Sequence, residues 1–146
     1  MTQVFADTVY WIATALPNDQ WHTVAREARR RLGRVELVTT DEVLAEFLAA
    51  LSKGGPRVRL AAARTVRAML SGSTVRVMPQ SRSSFAKALA RYEARGDKEY
   101  SLQDCASMNV MEAESITQAL TNDHHFEQEG FTVLMKRNVA ALAPGR

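Results

Sequence analysis

Four acidic residues stand where a folded chain could gather them. Asp7 closes the short apolar run Val4-Phe5-Ala6, and Glu46 closes the stretch Thr39-Thr-Asp-Glu-Val-Leu-Ala-Glu46. Asp104 comes three places after Ser101, and Asp123 follows Thr121 and Asn122 at the end of another apolar run. Carboxylates within a few ångströms repel one another, and a protein keeps such a cluster when a cation resolves the conflict. All-oxygen ligands favour a hard ion, Mg²⁺ or Mn²⁺, over zinc. With coordination positions left open, such an ion suits phosphodiester hydrolysis: it polarises the phosphate, lowers the pKa of a bound water and stabilises the leaving oxygen. Each acid alone has a plainer reading, because strand ends and helix starts collect Asp for turn and cap reasons. Ser101-x-x-Asp104, ahead of an apolar run, reads as a capping box.

The acids meet only if particular elements carry them. Val4-Phe5-Ala6 reads as a buried strand, and Thr8 to Leu16 as an apolar and aromatic helix stopped by Pro17. Asp19 is placed to cap a second helix with the stripe Trp21, Val24, Ala25, Ala28 and Leu32, closed by Gly33. Val35 to Val38 is the second strand. Thr39-x-x-Glu42 reads as a capping box for a helix with Val43, Leu44, Phe47, Leu48 and Leu51 on one side. Gly54-Gly55-Pro56 ends it and opens a basic helix, Arg57 to Leu70. Val75 to Val77 is a third strand, and Ser81 to Ala94 a helix with Phe85, Leu89 and Tyr92 at helical spacing. The helix begun at Ser101 runs to about Ala113, Ile116 to Leu120 is the fourth strand, and a turn of helix, His124 to Gln128, leads to a fifth, Phe131 to Leu134.

Strands alternating with helices predict an α/β sandwich around a mostly parallel five-stranded sheet. Ligands of such sheets bind beyond the carboxyl ends of the strands, where Asp7 and Asp123 would project. Asp104 falls in the first turn of the helix that precedes the fourth strand. Glu46 lies outside its helix's apolar stripe, so periodicity alone does not turn it inward.

With 146 residues, residues 1–146 are expected to form one domain with a loose tail from about Ala143. Hydrophobic residues make up 46% and charged residues 24%, an ordinary globular balance. The single Cys105 excludes an intramolecular disulfide, suits a reducing cytosol and reads as packing. Asp7 interrupts the N-terminus before a signal-peptide core could form, and no run is long enough to span a bilayer, so a soluble, cytoplasmic protein without a membrane partner is expected. The net charge of +3 permits a nucleic-acid partner without requiring one.

Taken in order, Val4-Phe-Ala-Asp-Thr8, Thr39 to Glu46, Asp97-Lys-Glu-Tyr-Ser-Leu-Gln-Asp-Cys105 and Ile116-Thr-Gln-Ala-Leu-Thr-Asn-Asp-His-His-Phe126 resemble a PIN-domain ribonuclease, most closely the VapC-like toxins of bacterial toxin–antitoxin pairs. The resemblance runs over nearly the whole chain. It implies a three-layer α/β/α sandwich and a metal-dependent endoribonuclease, with Asp7, Glu46, Asp104 and Asp123 as the catalytic, metal-holding set and Mg²⁺ or Mn²⁺ as the ion. Thr8 matches the small hydroxyl residue beside the first acid, in place to hold a metal-bound water or to orient Asp7. Ser101 and Thr121 join Thr8 as supporting residues. The resemblance further implies an RNA substrate left with 5′-phosphate and 3′-hydroxyl ends, a cognate antitoxin and a homodimer. Gln103 departs from the pattern, standing where relatives often have threonine, which removes the basis for a hydroxyl contact there.

Other residues invite chemistry less specifically. Asp97 reads as a loop acid at a turn after Gly96 rather than a ligand. His124 and His125 are adjacent on a turn and should point apart, which suits exposed or capping roles, or contact with an RNA phosphate, rather than joint binding of one ion with Asp123. Arg26, Arg29, Arg30, Arg57, Arg59, Arg64 and Arg67 fit phosphate contacts or a solvated helix face equally well. Tyr10 and Trp11 are accounted for as core, with base stacking as the alternative. A phosphatase with a strand-end Asp nucleophile would want a second acid two residues on, where Val9 stands. No Gly-rich phosphate loop is present. The remaining rival is a catalytically inactive α/β binding or regulatory module acting through a protein partner.

Overall fold

The computed structural model describes residues 1–137; the tail expected from about Ala143 lies outside the described residues. Twelve elements follow in order: β1 (Thr2–Ala6), α1 (Thr8–Ala15), α2 (His22–Leu32), β2 (Val35–Thr40), α3 (Asp41–Leu51), α4 (Pro56–Ser71), β3 (Val75–Met78), α5 (Arg82–Ala94), α6 (Leu102–Ala113), β4 (Gln118–Leu120), α7 (His124–Gln128) and β5 (Thr132–Val133). The five strands form one sheet in the order β3-β2-β1-β4-β5. Every pairing is parallel, with Val4 beside Leu37, Ala6 beside Leu120, and Ala119 beside Val133. The predicted α/β sandwich is therefore present, and its sheet is wholly parallel among the described residues.

A strand covered by helices on both faces is apolar along its whole length rather than alternating, and Val4, Phe5 and Ala6 are all fully buried. Phe5, Phe47 and Phe126 are also completely enclosed, which by area transfer is about 2–3 kcal/mol each. The same core fixes the end of β1. The Ala6 carbonyl accepts from the Thr39 hydroxyl at 2.8 Å and from the Trp11 indole at 3.3 Å, so β1, β2 and α1 are tied one residue before Asp7. Tyr10 and Trp11 both lie in this core, which removes base stacking as their role. No helix among the described residues is long and apolar enough to cross a membrane.

Several local expectations need correction. Thr39 is not a cap: it is fully buried in β2, and Thr40 is the residue whose hydroxyl accepts from the Val43 N–H to start α3. The strand extends two residues further because β3 pairs alongside it through Met78. Asp19 accepts from the Trp21 N–H at 2.8 Å, so it caps the turn before α2, whose N-cap is Trp21. On α5 the buried positions are Ala88 and Arg91, whereas Leu89 and Tyr92 are exposed. Spacing chose the wrong face there, because α5 turns a buried arginine toward Glu129 and Asn109. On α3, Leu48 is at the exposed edge of the stripe.

Candidate active site

The chain lays β1, β2 and β3 outward in one direction, then returns to place β4 against the other side of β1. That reversal is a topological switch point, where parallel sheets open a crevice at the carboxyl ends of their strands. Asp7 stands there as the N-cap of α1, its N–H bonded to the Leu120 carbonyl at 3.1 Å. Asp123 stands beside it as the N-cap of α7, its carboxylate accepting from the His125 N–H at 2.9 Å. Asp104 is the third residue of α6, where it completes a capping box: Ser101 Oγ accepts from the Asp104 N–H at 3.0 Å, and Asp104 Oδ2 accepts from the Ser101 N–H at 3.1 Å. Capping role and cleft position coincide, since the first turn of α6 lies at the crevice. Glu46 reaches the same place from α3, on the exposed side of that helix.

These four acids line one open cleft of about 560 Å³, with Thr8, Ser101 and Gln103 among them and Asp19, Gln20 and Trp21 on the wall made by the α1–α2 connection. A hollow of about 680 Å³ over α1 and α2 is lined by Arg26, Arg29 and Arg30 with a single acid, Glu27. The arginines of α4 lie on an exposed face.

Burial sets the electrostatics. Asp7 is 6% exposed and its pKa is raised to about 6: loss of water dominates, the neighbouring Asp104 charge adds to it, and donors from Thr121, the Thr8 backbone and Gln103 offset part. Asp104, 7% exposed, is likewise raised by burial and then by the Asp123 charge, against the Ser101 N–H and His125. Among the described residues no lysine or arginine nitrogen lies within 4.0 Å of any of the four carboxylates. Two buried acids without a lysine or arginine partner among the described residues, beside two more, form a set of oxygen donors that suits a hard divalent ion.

Ser101 caps α6 together with Asp104 as its spacing predicts, whereas Thr8 makes another contact. Thr8 Oγ1 donates to Glu46 Oε1 at 2.6 Å, so its hydroxyl orients Glu46 and only its backbone serves Asp7. Thr121 holds Asp7 instead: its hydroxyl donates to Asp7 Oδ2 at 2.8 Å and accepts from the Asp123 N–H at 3.2 Å. Gln103, given no contact by the sequence reading, donates to Ser107 Oγ at 2.9 Å and reaches Asp7 Oδ1 at 3.4 Å. Asp97 is exposed, paired with Lys98 at 3.8 Å, and does not line the cleft. Cys105 is buried, as packing requires.

The adjacent histidines do not diverge as a turn would suggest. Their ring centroids are 4.7 Å apart, and one donor atom each from Asp123, His124 and His125 falls within a 4.8 Å span. His124 is largely exposed, while His125 turns inward, with Nδ1 3.5 Å from Asp104 Oδ2 and 3.3 Å from Asp123 Oδ1. Sequence reasoning missed this placement. Its one signal was Asp123 as an N-cap, which commits the carboxylate to the N–H two residues on.

The family model described as PIN domain matches residues 4–131 of the chain. Among solved structures, that of Mycobacterium tuberculosis VapC20, described as a sarcin-ricin loop cleaving toxin, is similar at 27% identity with a TM-score of 0.78, over 91% of this chain and 99% of that one. No curated protein sequence matches the chain.

Proposed function

The chain belongs to the PIN-domain family, and on that footing we propose that it is an endoribonuclease hydrolysing RNA phosphodiester bonds with a divalent ion, Mg²⁺ or Mn²⁺, held by Asp7, Glu46, Asp104 and Asp123. It acts as the toxin of a type II toxin–antitoxin pair, with a cognate antitoxin and a homodimeric assembly as its protein partners. The observation that carries the reading is the pair Asp7 and Asp104: two buried carboxylates with raised pKa values in an open cleft, with no lysine or arginine against them among the described residues. A cation bound in the cleft would offset the burial and mutual repulsion that raise both pKa values.

A divalent ion bound there supplies Lewis-acid polarisation of the scissile phosphate and a lowered pKa for the attacking water. The chain's own part is positional. Thr121 and Gln103 hold both oxygens of Asp7, Thr8 holds one oxygen of Glu46, and the capping box holds one of Asp104. Each acid is thereby fixed before substrate arrives, which lowers the reorganisation needed at reaction. Openness of the cleft suits a polymer that must lie across it rather than a small molecule to be enclosed.

The test is direct. Partner-free protein is incubated with a sarcin–ricin loop hairpin, the kind of RNA that VapC20 cleaves, and with a structured RNA pool, in Mg²⁺, Mn²⁺ or EDTA, beside Asp104→Asn. Cleavage that needs the ion and is lost in the variant is the expected result. Cleavage that persists in EDTA would overturn the metal assignment, and no cleavage in any ion would overturn the activity.

A further inference from the structure

The His125 ring is a buried polar group that stands behind two of the four acids. His125 Nδ1 is enclosed and makes no well-aligned hydrogen bond, yet it lies within 3.5 Å of Asp104 Oδ2 and 3.3 Å of Asp123 Oδ1. A ring N–H aimed between two acceptors rather than at either one produces that geometry: two long, bent contacts in place of a single straight one. The oxygens concerned are the ones already turned to the protein, since Asp104 Oδ2 takes the Ser101 N–H and Asp123 Oδ1 takes the His125 N–H.

The ring is also held from behind. Tyr100 packs edge-on against it at 5.2 Å, and the Tyr100 hydroxyl donates to Glu129 Oε2 at 3.0 Å. Glu129 is fixed in turn by the buried Arg91, at 2.7 Å, and by Arg95, at 3.1 Å. This polar network joins α5, α6 and α7 and touches no substrate surface of the cleft. Its reach toward the site ends on the His125 ring.

We propose that His125 is a positioning residue whose Nδ1–H bridges Asp104 and Asp123 and sets the separation of the two carboxylates. The inference rests on the functional reading above, in which those acids hold the ion. A group that orients ligands from behind changes metal affinity by about 10–100-fold when removed.

Mn²⁺ titrations at a single pH, followed by electron paramagnetic resonance, would compare wild type with His125→Leu and His125→Asn, whose side-chain amide returns an N–H near the Nδ1 position. The leucine variant is expected to bind about 10–100-fold more weakly and the asparagine variant to recover most of the loss. Nitrogen spectra of the histidine-labelled wild type supply a readout that needs no variant, should His125→Leu fail to fold: Nδ1 of His125 is expected to carry its proton with and without Mg²⁺. Unchanged Mn²⁺ affinity in a folded His125→Leu, or an Nδ1 that is bare of a proton when Mg²⁺ is present, would overturn the bridge while leaving the nuclease reading standing. Wild type that binds no Mn²⁺ would remove that reading and the bridge with it.

Discussion

Thr8 and Glu46, 38 positions apart in the chain, are joined by a 2.6 Å hydrogen bond between the first turn of α1 and the exposed side of α3. Among the described residues Glu46 makes no other side-chain hydrogen bond or ion pair, and it sits outside its helix's buried stripe. Thr8→Val is therefore expected to free Glu46 and lower metal affinity or cleavage rate by about tenfold, with stability changed by no more than about 1 kcal/mol, because the bond is solvent-exposed. Steady-state kinetics paired with urea unfolding would check both halves.

Asp7 has a pKa raised from 3.8 to about 6, so the folded metal-free protein binds this proton more tightly than the unfolded chain does. Its contribution to stability is consequently fully present below about pH 4 and is lost as pH rises through about 6. Two units at about 1.4 kcal/mol each set the scale. Asp7→Asn should stabilise the metal-free protein at pH 7.5 by about 2–3 kcal/mol, erase that pH dependence, and abolish cleavage. Urea unfolding in EDTA at about pH 4.5 and 7.5 measures it; a variant less stable than wild type at the higher pH would contradict the account.

Thr121 favours the ionised form of Asp7 through its 2.8 Å hydrogen bond. Removing the donor in Thr121→Val should push the Asp7 pKa above about 6, so that metal binding is lost at a higher pH than in wild type. Thr121→Ser keeps the hydroxyl and should keep the wild-type midpoint. Mn²⁺ affinity measured across pH 5 to 8 would show the displacement or its absence.

Arg91 is 8% exposed and is matched by Glu129, Asn109 and Glu112. Glu129 is the buried acid shared by Arg91, Arg95 and Tyr100, and its removal leaves Arg91 only Asn109 and the exposed Glu112, so Glu129→Ala should destabilise the protein by about 3 kcal/mol. Leu89→Lys, on the exposed side of the same region of fold, should stay within about 0.5 kcal/mol. Chemical unfolding of the two variants side by side makes the contrast.

The sequence carried element type and order well, because β1 centres on the apolar run Val4-Phe5-Ala6 and α2, α3 and α4 show clear periodicity. It failed where tertiary contacts chose among equal local options. Thr39 and Thr40 are both capping residues by type, and the contact of the Thr39 hydroxyl with the Ala6 carbonyl of β1 leaves Thr40 as the cap. Phe85, Leu89 and Tyr92 share a helical face, yet the packed positions are Ala88 and Arg91, the arginine being held by Asn109, Glu112 and Glu129. At the cleft Asp7, Asp104 and Asp123 were legible from their places at strand ends and a helix start, whereas Glu46, in the middle of α3, was suggested only by the family resemblance. Their supports were not, because the contacts of Gln103 with Asp7, Thr8 with Glu46 and His125 with Asp104 join segments whose approach no local pattern specifies.

The placement of β4 beside β1 has a consequence for how the molecule is made. The bond from Thr121 to Asp7 joins residues 114 positions apart, so a nascent chain that has already laid down β1, β2 and β3 still has one side of β1 open and half its acids undelivered. Domains fold as synthesis proceeds from the N-terminal end. A ribosome-bound chain arrested before Gln118 is expected to lack the assembled cleft, because Asp123 and the β4 contacts of Asp7 have not yet emerged.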